Sequence, residues 1–208
     1  MKSDLFMEEK MTASHILAII ANIIIFAVYA IYLKQVIKGQ STPNPATWTI
    51  WFSVLLINSI TYIIITENIY KSFISISACI FVGIILVFSY FKGALKALET
   101  VDKCALIGVL PIVIFWQISE NAEFSNLALQ AILLISFIPT IKRLLDGTLK
   151  EASILPWSLA VIAYGFQIAV VLVNFNGNYY AIAFPIVNGI LGNGSVAVII
   201  VYVNKKRT

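Results

Sequence analysis

Long apolar stretches, each bounded by charged or turn-forming residues, follow one another along most of this chain. An α-helix rises about 1.5 Å per residue, so roughly 20 apolar residues are enough to cross the hydrocarbon core of a bilayer. Only 12% of the 208 residues are charged, about half the fraction typical of soluble domains. The sequence therefore predicts an all-α integral membrane protein with seven transmembrane helices. The predicted spans cover residues 14–37, 47–66, 72–91, 104–118, 125–141, 155–173 and 179–203.

The basic residues lie mostly on one side of these predicted spans. Of the 14 Lys and Arg residues, all except Lys2, Lys10 and Lys71 fall on the side that also holds the C-terminus. Because cytoplasmic loops carry an excess of Lys and Arg, we expect the N-terminus outside and the C-terminus in the cytoplasm, in a plasma or inner membrane. This topology accounts for the formal net charge of +4, and no nucleic-acid partner is predicted.

One sequence pattern occurs twice. Segments 32–48 and 137–157 each lead from the end of an apolar helix, through a basic turn and a polar loop, to a Trp that opens the next helix. Aligning Trp48 with Trp157 makes the first three spans correspond to the last three and leaves the fourth as a connector. Two halves in the same orientation form a parallel repeat. We therefore predict two parallel three-helix bundles joined by a linker helix.

The predicted organisation of the chain follows from these boundaries. Segment 92–103 has apolar residues at helical spacing among its charges, so it is interpreted as an amphipathic helix in the membrane interface. The divisions are an extracellular tail at 1–13, a first three-helix bundle at 14–91, the interfacial segment at 92–103, a linker helix and loop at 104–124, a second three-helix bundle at 125–203, and a basic cytoplasmic tail at 204–208.

Short motifs in the chain resemble those of one transporter superfamily. Residues 137–142, Phe-Ile-Pro-Thr-Ile-Lys, are similar to the proline-led loop motif of the PQ-loop and SWEET superfamily, and residues 34–38 resemble its first copy, with Lys34 where the motif proline would stand. Residues 185–192 are similar to the final helix of SWEET proteins, whereas the third span has no asparagine to match Asn188. The chain thus resembles a divergent member of this superfamily. The resemblance implies a facilitative transporter of a small uncharged polar solute, with a sugar as the first candidate, that works by alternating access between the two bundles.

Polar and aromatic side chains within the spans are the predicted substrate-binding residues. The repeat places Asn58 of the second span and Gln167 of the sixth at equivalent depths, and an amide can both donate and accept hydrogen bonds. The resemblance implies that Asn188 binds substrate and that Ser77 is its third-span counterpart. The predicted substrate-binding residues are Asn58, Gln167, Asn188, Ser77, Tyr164 and Trp51. In the alternative interpretation, the amides only form hydrogen bonds between helices.

Prolines and tryptophans near the repeated loops and in the last span are the predicted gate and hinge residues. They are Pro139, Pro156, Pro185, Trp48 and Trp157. Each proline is either a hinge or a tolerated kink in a buried helix. The positions of the tryptophans favour an aromatic belt at the membrane interface, with a gating role as the second interpretation. Gly189 and Gly192 are interpreted as sites of close helix packing.

Ionisable residues are scarce at depth in the predicted membrane. No Asp, Glu, Lys or Arg occurs between Ala152 and Asn204, which favours a facilitator over an ion-coupled carrier. Two alternatives stay open: a proton-coupled amino-acid carrier of the PQ-loop type that uses Asp146 or Glu151, and a non-transporting receptor with the same fold. No enzyme activity, metal or cofactor is predicted, because the sequence has no nucleophile–base set and no metal-ligand spacing. The predicted partners are a small-molecule solute and the lipid bilayer, and homo-oligomers are left open.

Overall fold

The computed structural model describes residues 2–43, 45–92, 100–149, 151, 153–175 and 177–207. Every regular element within these ranges is a helix, which confirms the predicted all-α class. The elements are α1 (Lys2–Ile37), α2 (Pro45–Thr66), α3 (Ile69–Lys92), α4 (Thr100–Ser119), α5 (Ala122–Leu145), α6 (Leu155–Val173), α7 (Tyr180–Phe184), a π-helical segment (Pro185–Asn193) and α8 (Gly194–Arg207). The last three follow one another without a break and form the last span.

Six of the helices in the described residues are long and apolar enough to cross a membrane, so the chain is a membrane protein. These spans are Met11–Ile37, Thr47–Thr66, Ile69–Phe91, Ala122–Leu145, Leu155–Val173 and Tyr180–Lys206. The fourth predicted span falls on α4, whose apolar part, Leu110–Ser119, is shorter than the other six. The predicted interfacial helix at 92–103 lies mostly in residues 93–99, which are outside the described ranges.

The helices pack in a pattern that has internal symmetry. Helix α3 packs between α1 and α2, and the last span packs between α5 and α6. Across the middle of the molecule, α1 packs on α6 and α2 packs on α5, while α4 packs on α5 and α2. Exchanging α1 with α5, α2 with α6, and α3 with the last span leaves the pairing of these six spans unchanged.

The two repeated loops turn in the same way. Each has a glycine with a positive φ shortly after its helix, Gly39 at 67° and Gly147 at 75°, and glycine adopts this conformation without a steric penalty. The Gly39 N–H bonds to the Val36 carbonyl at 3.0 Å, and the Gly147 N–H bonds to the Leu144 carbonyl at 3.3 Å. Helices α1 and α5 therefore end in matching turns, which lead the chain into α2 and α6.

Candidate functional site

A cavity of about 40 Å³, with room for a few water molecules, lies between the first three helices and the later ones. Helices α1, α2 and α3 supply one part of its wall, and α5, α6 and the π-helical segment supply the rest. Six of the predicted site residues line it: Trp48, Trp51, Pro156, Trp157, Tyr164 and Asn188. Most of the remaining wall is aliphatic or aromatic, so the few polar groups in it determine what the cavity can bind.

Asn188 and Tyr164 supply polar groups to the cavity wall from the last span and α6, and Tyr29 adds a hydroxyl from α1. Asn188 lies in the π-helical segment and donates from Nδ2 to the hydroxyl oxygen of Tyr164 at 2.5 Å. The Asn193 side chain donates from Nδ2 to the backbone carbonyl of Asn188 at 2.5 Å. Because the Tyr164 oxygen accepts a bond, its own O–H can still donate, so a solute would meet both an amide and a hydroxyl.

Two glycines bring the π-helical segment close to its neighbours. A Cβ added at Gly189 would overlap the Cβ of Tyr164, and one added at Gly192 would overlap the ring of Phe137. The structure agrees with the interpretation of both glycines as sites of close helix packing. Their missing side chains allow Asn188 to reach Tyr164.

Five buried aromatic side chains form an aromatic cluster at one end of the cavity: Tyr32, Trp48, Trp51, Phe137 and Trp157. Neighbouring ring centroids are 5.0–6.3 Å apart in tilted or edge-on arrangements. The three tryptophans are only 5–7% exposed, so they pack inside the protein and do not form a belt at its lipid-facing surface. The repeat pairs Trp48 with Trp157 and Tyr32 with Phe137. Tyr32 and Phe137 were not predicted as gate residues, although they open the two repeated segments.

A carboxylate lies on the side of the aromatic cluster that faces the loops. Glu151, between α5 and α6, accepts hydrogen bonds from Tyr32 Oη at 3.0 Å and from Ser41 Oγ at 3.3 Å. Burial raises the pKa of this carboxyl to about 7, although its interactions with Tyr32, Trp157 and Ser41 lower it. Glu151 can therefore change its charge near neutral pH.

Arg143 lies in the same region. Its side chain is buried, and its Nη1 donates to Thr47 Oγ1 at 3.2 Å. A small cavity of about 10 Å³ is lined by Arg143, by Glu151 and by four members of the aromatic cluster. The cluster thus separates the main cavity from a site that holds one cationic and one acidic side chain.

Asn58 does not line the cavity but belongs to a buried polar cluster between α2, α3 and α5. Its Oδ1 accepts from Asn126 Nδ2 at 2.9 Å and from Gln130 Nε2 at 2.7 Å, and its Nδ2 donates to Ser75 Oγ at 2.9 Å. Asn126 also donates to Thr61 Oγ1 at 3.0 Å. Asn126 and Gln130 were not predicted as site residues. Their spacing of four residues, which places both on one helix face, was the available signal.

Contacts between the early and late helices close the end of the molecule opposite the aromatic cluster. Gln167 donates from Nε2 to the backbone carbonyl of Lys71, and Lys71 Nζ donates to the backbone carbonyl of Asn174 at 2.7 Å. Tyr62 Oη donates to the backbone carbonyl of Ala181 at 2.5 Å. Gln167 is therefore part of this closure and does not line the cavity wall.

Three more predicted residues also lie away from the cavity wall. Ser77 donates to Asn22 Oδ1 at 2.7 Å, beside a groove between α1 and α3 on the outer surface. Pro139 is buried within α5, and Pro185 is buried at the start of the π-helical segment. The structure thus gathers one set of predicted residues around the cavity and places Asn58, Gln167, Ser77, Pro139 and Pro185 elsewhere.

We expect Asn58→Ala to destabilise the protein by about 2 kcal/mol, because it removes an amide that accepts two hydrogen bonds and donates one within a buried cluster. Asn126 and Gln130 would each lose a hydrogen-bond partner. A lower Tm in detergent would show the effect. Ser53→Ala on the same helix is the matched control, because the Ser53 hydroxyl donates back to the Thr49 carbonyl. A wild-type Tm for Asn58→Ala would contradict this structural role.

The chain was also compared with known proteins. Comparison with protein-family models, with curated proteins and with solved structures found no match. Among the described residues, no group of three or more His, Cys, Asp or Glu side chains could hold a metal ion.

Proposed function

We propose that this chain is a facilitative transporter that moves a small polar solute by alternating access between two parallel three-helix bundles. The first bundle comprises α1–α3, the second comprises α5, α6 and the last span, and α4 is the linker. The symmetry of the helix packing supports this division, because exchanging corresponding helices leaves the pairing unchanged. The matching turns at Gly39 and Gly147 support it as well. The resemblance of the loops and the last span to the SWEET superfamily agrees with it.

The observation that carries the proposal is a cavity between the two sets of helices that is closed at both ends by contacts joining them. The aromatic cluster closes one end, and the bonds from Lys71 to Asn174 and from Tyr62 to Ala181 close the other. Separating the bundles at one end at a time would open the cavity to each side in turn, as alternating access requires. The excess of basic residues in the loops on this side favours the cytoplasmic end for the aromatic cluster.

The cavity wall suits an uncharged polar ring. The faces of Trp51 and Trp157 can pack on a ring, while Asn188 and Tyr164 can form hydrogen bonds with hydroxyl groups. At about 40 Å³ the closed cavity is too small for such a solute, so the bundles have to separate before it can enter. A sugar is the first candidate.

Uptake of radiolabelled hexoses and pentoses into proteoliposomes tests the proposal. We expect Asn188→Leu to lower the initial rate about ten-fold or more, because it removes the amide from the cavity wall. Asn22→Leu is the matched control, since it makes the same chemical change beside the outer groove and should leave the rate near wild type. The proposal fails if no sugar enters faster than into empty liposomes. Wild-type uptake by Asn188→Leu would overturn the assignment of the cavity.

A proton-coupled amino-acid carrier is the second candidate function. The site beyond the aromatic cluster favours it, because Arg143 and Glu151 offer opposite charges to the carboxylate and ammonium groups of an amino acid. Protonation of Glu151 near neutral pH would supply the coupling. Amino-acid uptake that accelerates under an imposed pH gradient would favour this candidate over the facilitator.

A further inference from the structure

Two buried side-chain oxygens of the described residues have no hydrogen-bond partner: Gln130 Oε1 and Gln167 Oε1. A buried polar group left without a partner destabilises the folded state, so each such atom calls for a specific explanation. Both atoms are amide carbonyl oxygens, so each glutamine leaves a hydrogen-bond acceptor unpaired. Gln130 and Gln167 are 2% and 0% exposed, so bulk water does not reach them in this closed form.

Backbone carbonyls fix the orientation of both amides. Gln130 Nε2 donates to the Asn126 carbonyl at 3.1 Å and to Asn58 Oδ1 at 2.7 Å, and Gln167 Nε2 donates to the Lys71 carbonyl. A backbone carbonyl can only accept, so the NH₂ group of each glutamine has to face it and the oxygen has to face away. The unmet capacity of these two side chains is therefore acceptor capacity alone.

The two glutamines lie between the cavity and the closure at the Lys71 end. On α2, Trp51 and Leu55 line the cavity, and Asn58 and Tyr62 continue the same face at spacings of three and four residues. Gln130 contacts Asn58, and Gln167 contacts Tyr62. The unpaired carbonyls thus flank α2 one to two turns beyond the cavity wall.

We propose that Gln130 and Gln167 form a second solute-contact layer, whose carbonyl oxygens accept hydrogen bonds from solutes that carry O–H or N–H donors. The inference rests on the proposed transport function and adds Gln130 as a specificity-determining residue. When the bundles separate at the Lys71 end, a solute reaches this layer before the aromatic cavity. Solutes with acceptors alone, such as fully alkylated ethers, leave both carbonyls unpaired and are rejected. Carboxylates and phosphates are repelled by the same oxygens.

Ligand-induced thermal shift of the full chain in detergent tests this layer. The probes are glucose and sorbitol against their permethylated ethers, and putrescine against its hexamethyl quaternary derivative. We expect at least one donor-bearing probe to raise the Tm, and its permethylated partner to leave the Tm unchanged. Gln130→Met and Gln167→Met, which keep the side-chain length and remove the amide, should weaken the affinity for that probe about ten-fold or more.

Thr61→Val is the matched control, because it removes a hydroxyl from the same buried cluster but no unpaired carbonyl. It should keep the wild-type ligand shift. A merely structural role for Gln130 would lower the Tm of the ligand-free variant and leave the affinity unchanged, and that result would overturn the inference. Equal shifts with permethylated probes, or no shift with any donor-bearing probe, would also overturn it. Proteoliposomes that transport a probe at the wild-type rate with Gln130→Met would leave the transport function standing and refute only this layer.

Discussion

Gly189→Ala is expected to abolish transport and to destabilise the protein by about 3 kcal/mol. The added methyl group would overlap the Cβ of Tyr164, which is bonded directly to the α6 backbone and cannot rotate away. The π-helical segment would have to move off α6, and Asn188 would then lose its contact with the Tyr164 hydroxyl. Both the fold and the polar part of the cavity wall depend on this one close approach.

Two other glycines provide graded controls for this prediction. A Cβ at Gly192 would meet the outer edge of the Phe137 ring, and rotation of that ring can relieve part of the overlap. Gly192→Ala should therefore cost less than Gly189→Ala. A Cβ at Gly165 would meet no other atom, and alanine favours the helical conformation more than glycine does. Gly165→Ala should therefore be at least as stable as the wild type, with a gain of up to about 1 kcal/mol. Thermal unfolding and uptake assays measure the ranking of the three variants in stability and in transport. Equal Tm values for Gly189→Ala and Gly165→Ala would show that the close contact at Gly189 does not limit stability.

The membrane spans could be predicted because helix length and apolar composition are properties of the local sequence. The same holds for the matched turns, since Gly39 and Gly147 follow the two copies of one pattern. The fourth span was the exception. Its apolar part, Leu110–Ser119, is shorter than those of the other spans in the described residues. Length and apolar composition therefore do not identify it as a membrane span.

The hydrogen-bond partners of the site residues could not be predicted from helical periodicity. Helical periodicity places Asn58 on one face of α2, but the face alone does not show which helix will meet it. The structure places α5 there, and Asn126 and Gln130 occupy the bonds of Asn58. Gln167, its repeat partner, instead bonds to the start of α3. Matched positions in a repeat therefore do not fix equivalent contacts.

Loop conformation was the least predictable part of the site. Glu151 was predicted to lie in a loop, where carboxylates are usually solvated. The structure folds this loop back so that Tyr32 and Ser41 donate to the carboxylate. Asp146, the other acidic candidate, accepts from Thr148 within an exposed turn. No local sequence pattern separates these two residues, because the contacts of Glu151 come from residues more than a hundred positions earlier.

Glu151→Gln is expected to remove a pH dependence that the wild-type protein shows between about pH 4.5 and pH 7. Burial raises the pKa of Glu151 from 4.5 to about 7, so the folded state binds the proton more tightly than the unfolded state. The stability of the wild-type protein should therefore fall as the pH rises from about 4.5 to 7 and level off above that. For a partly buried group the difference is on the order of 2 kcal/mol. The neutral amide that replaces the carboxyl group should make the variant more stable than wild type at pH 8 and similar to it at pH 5.

Two further variants locate the effect at the aromatic cluster. The hydrogen bond from Tyr32 lowers the pKa of Glu151, so Tyr32→Phe should move the midpoint of the pH dependence upward. Asp146→Asn should leave it unchanged, because Asp146 is exposed. Thermal unfolding from pH 4.5 to 8.5 gives the stability curve, and proteoliposome uptake over the same range gives the activity curve. A wild-type curve as flat as that of Glu151→Gln would show that Glu151 does not titrate here. If stability changes with pH but uptake does not, protonation of Glu151 has no role in transport. That result would rule out the proton-coupled amino-acid carrier.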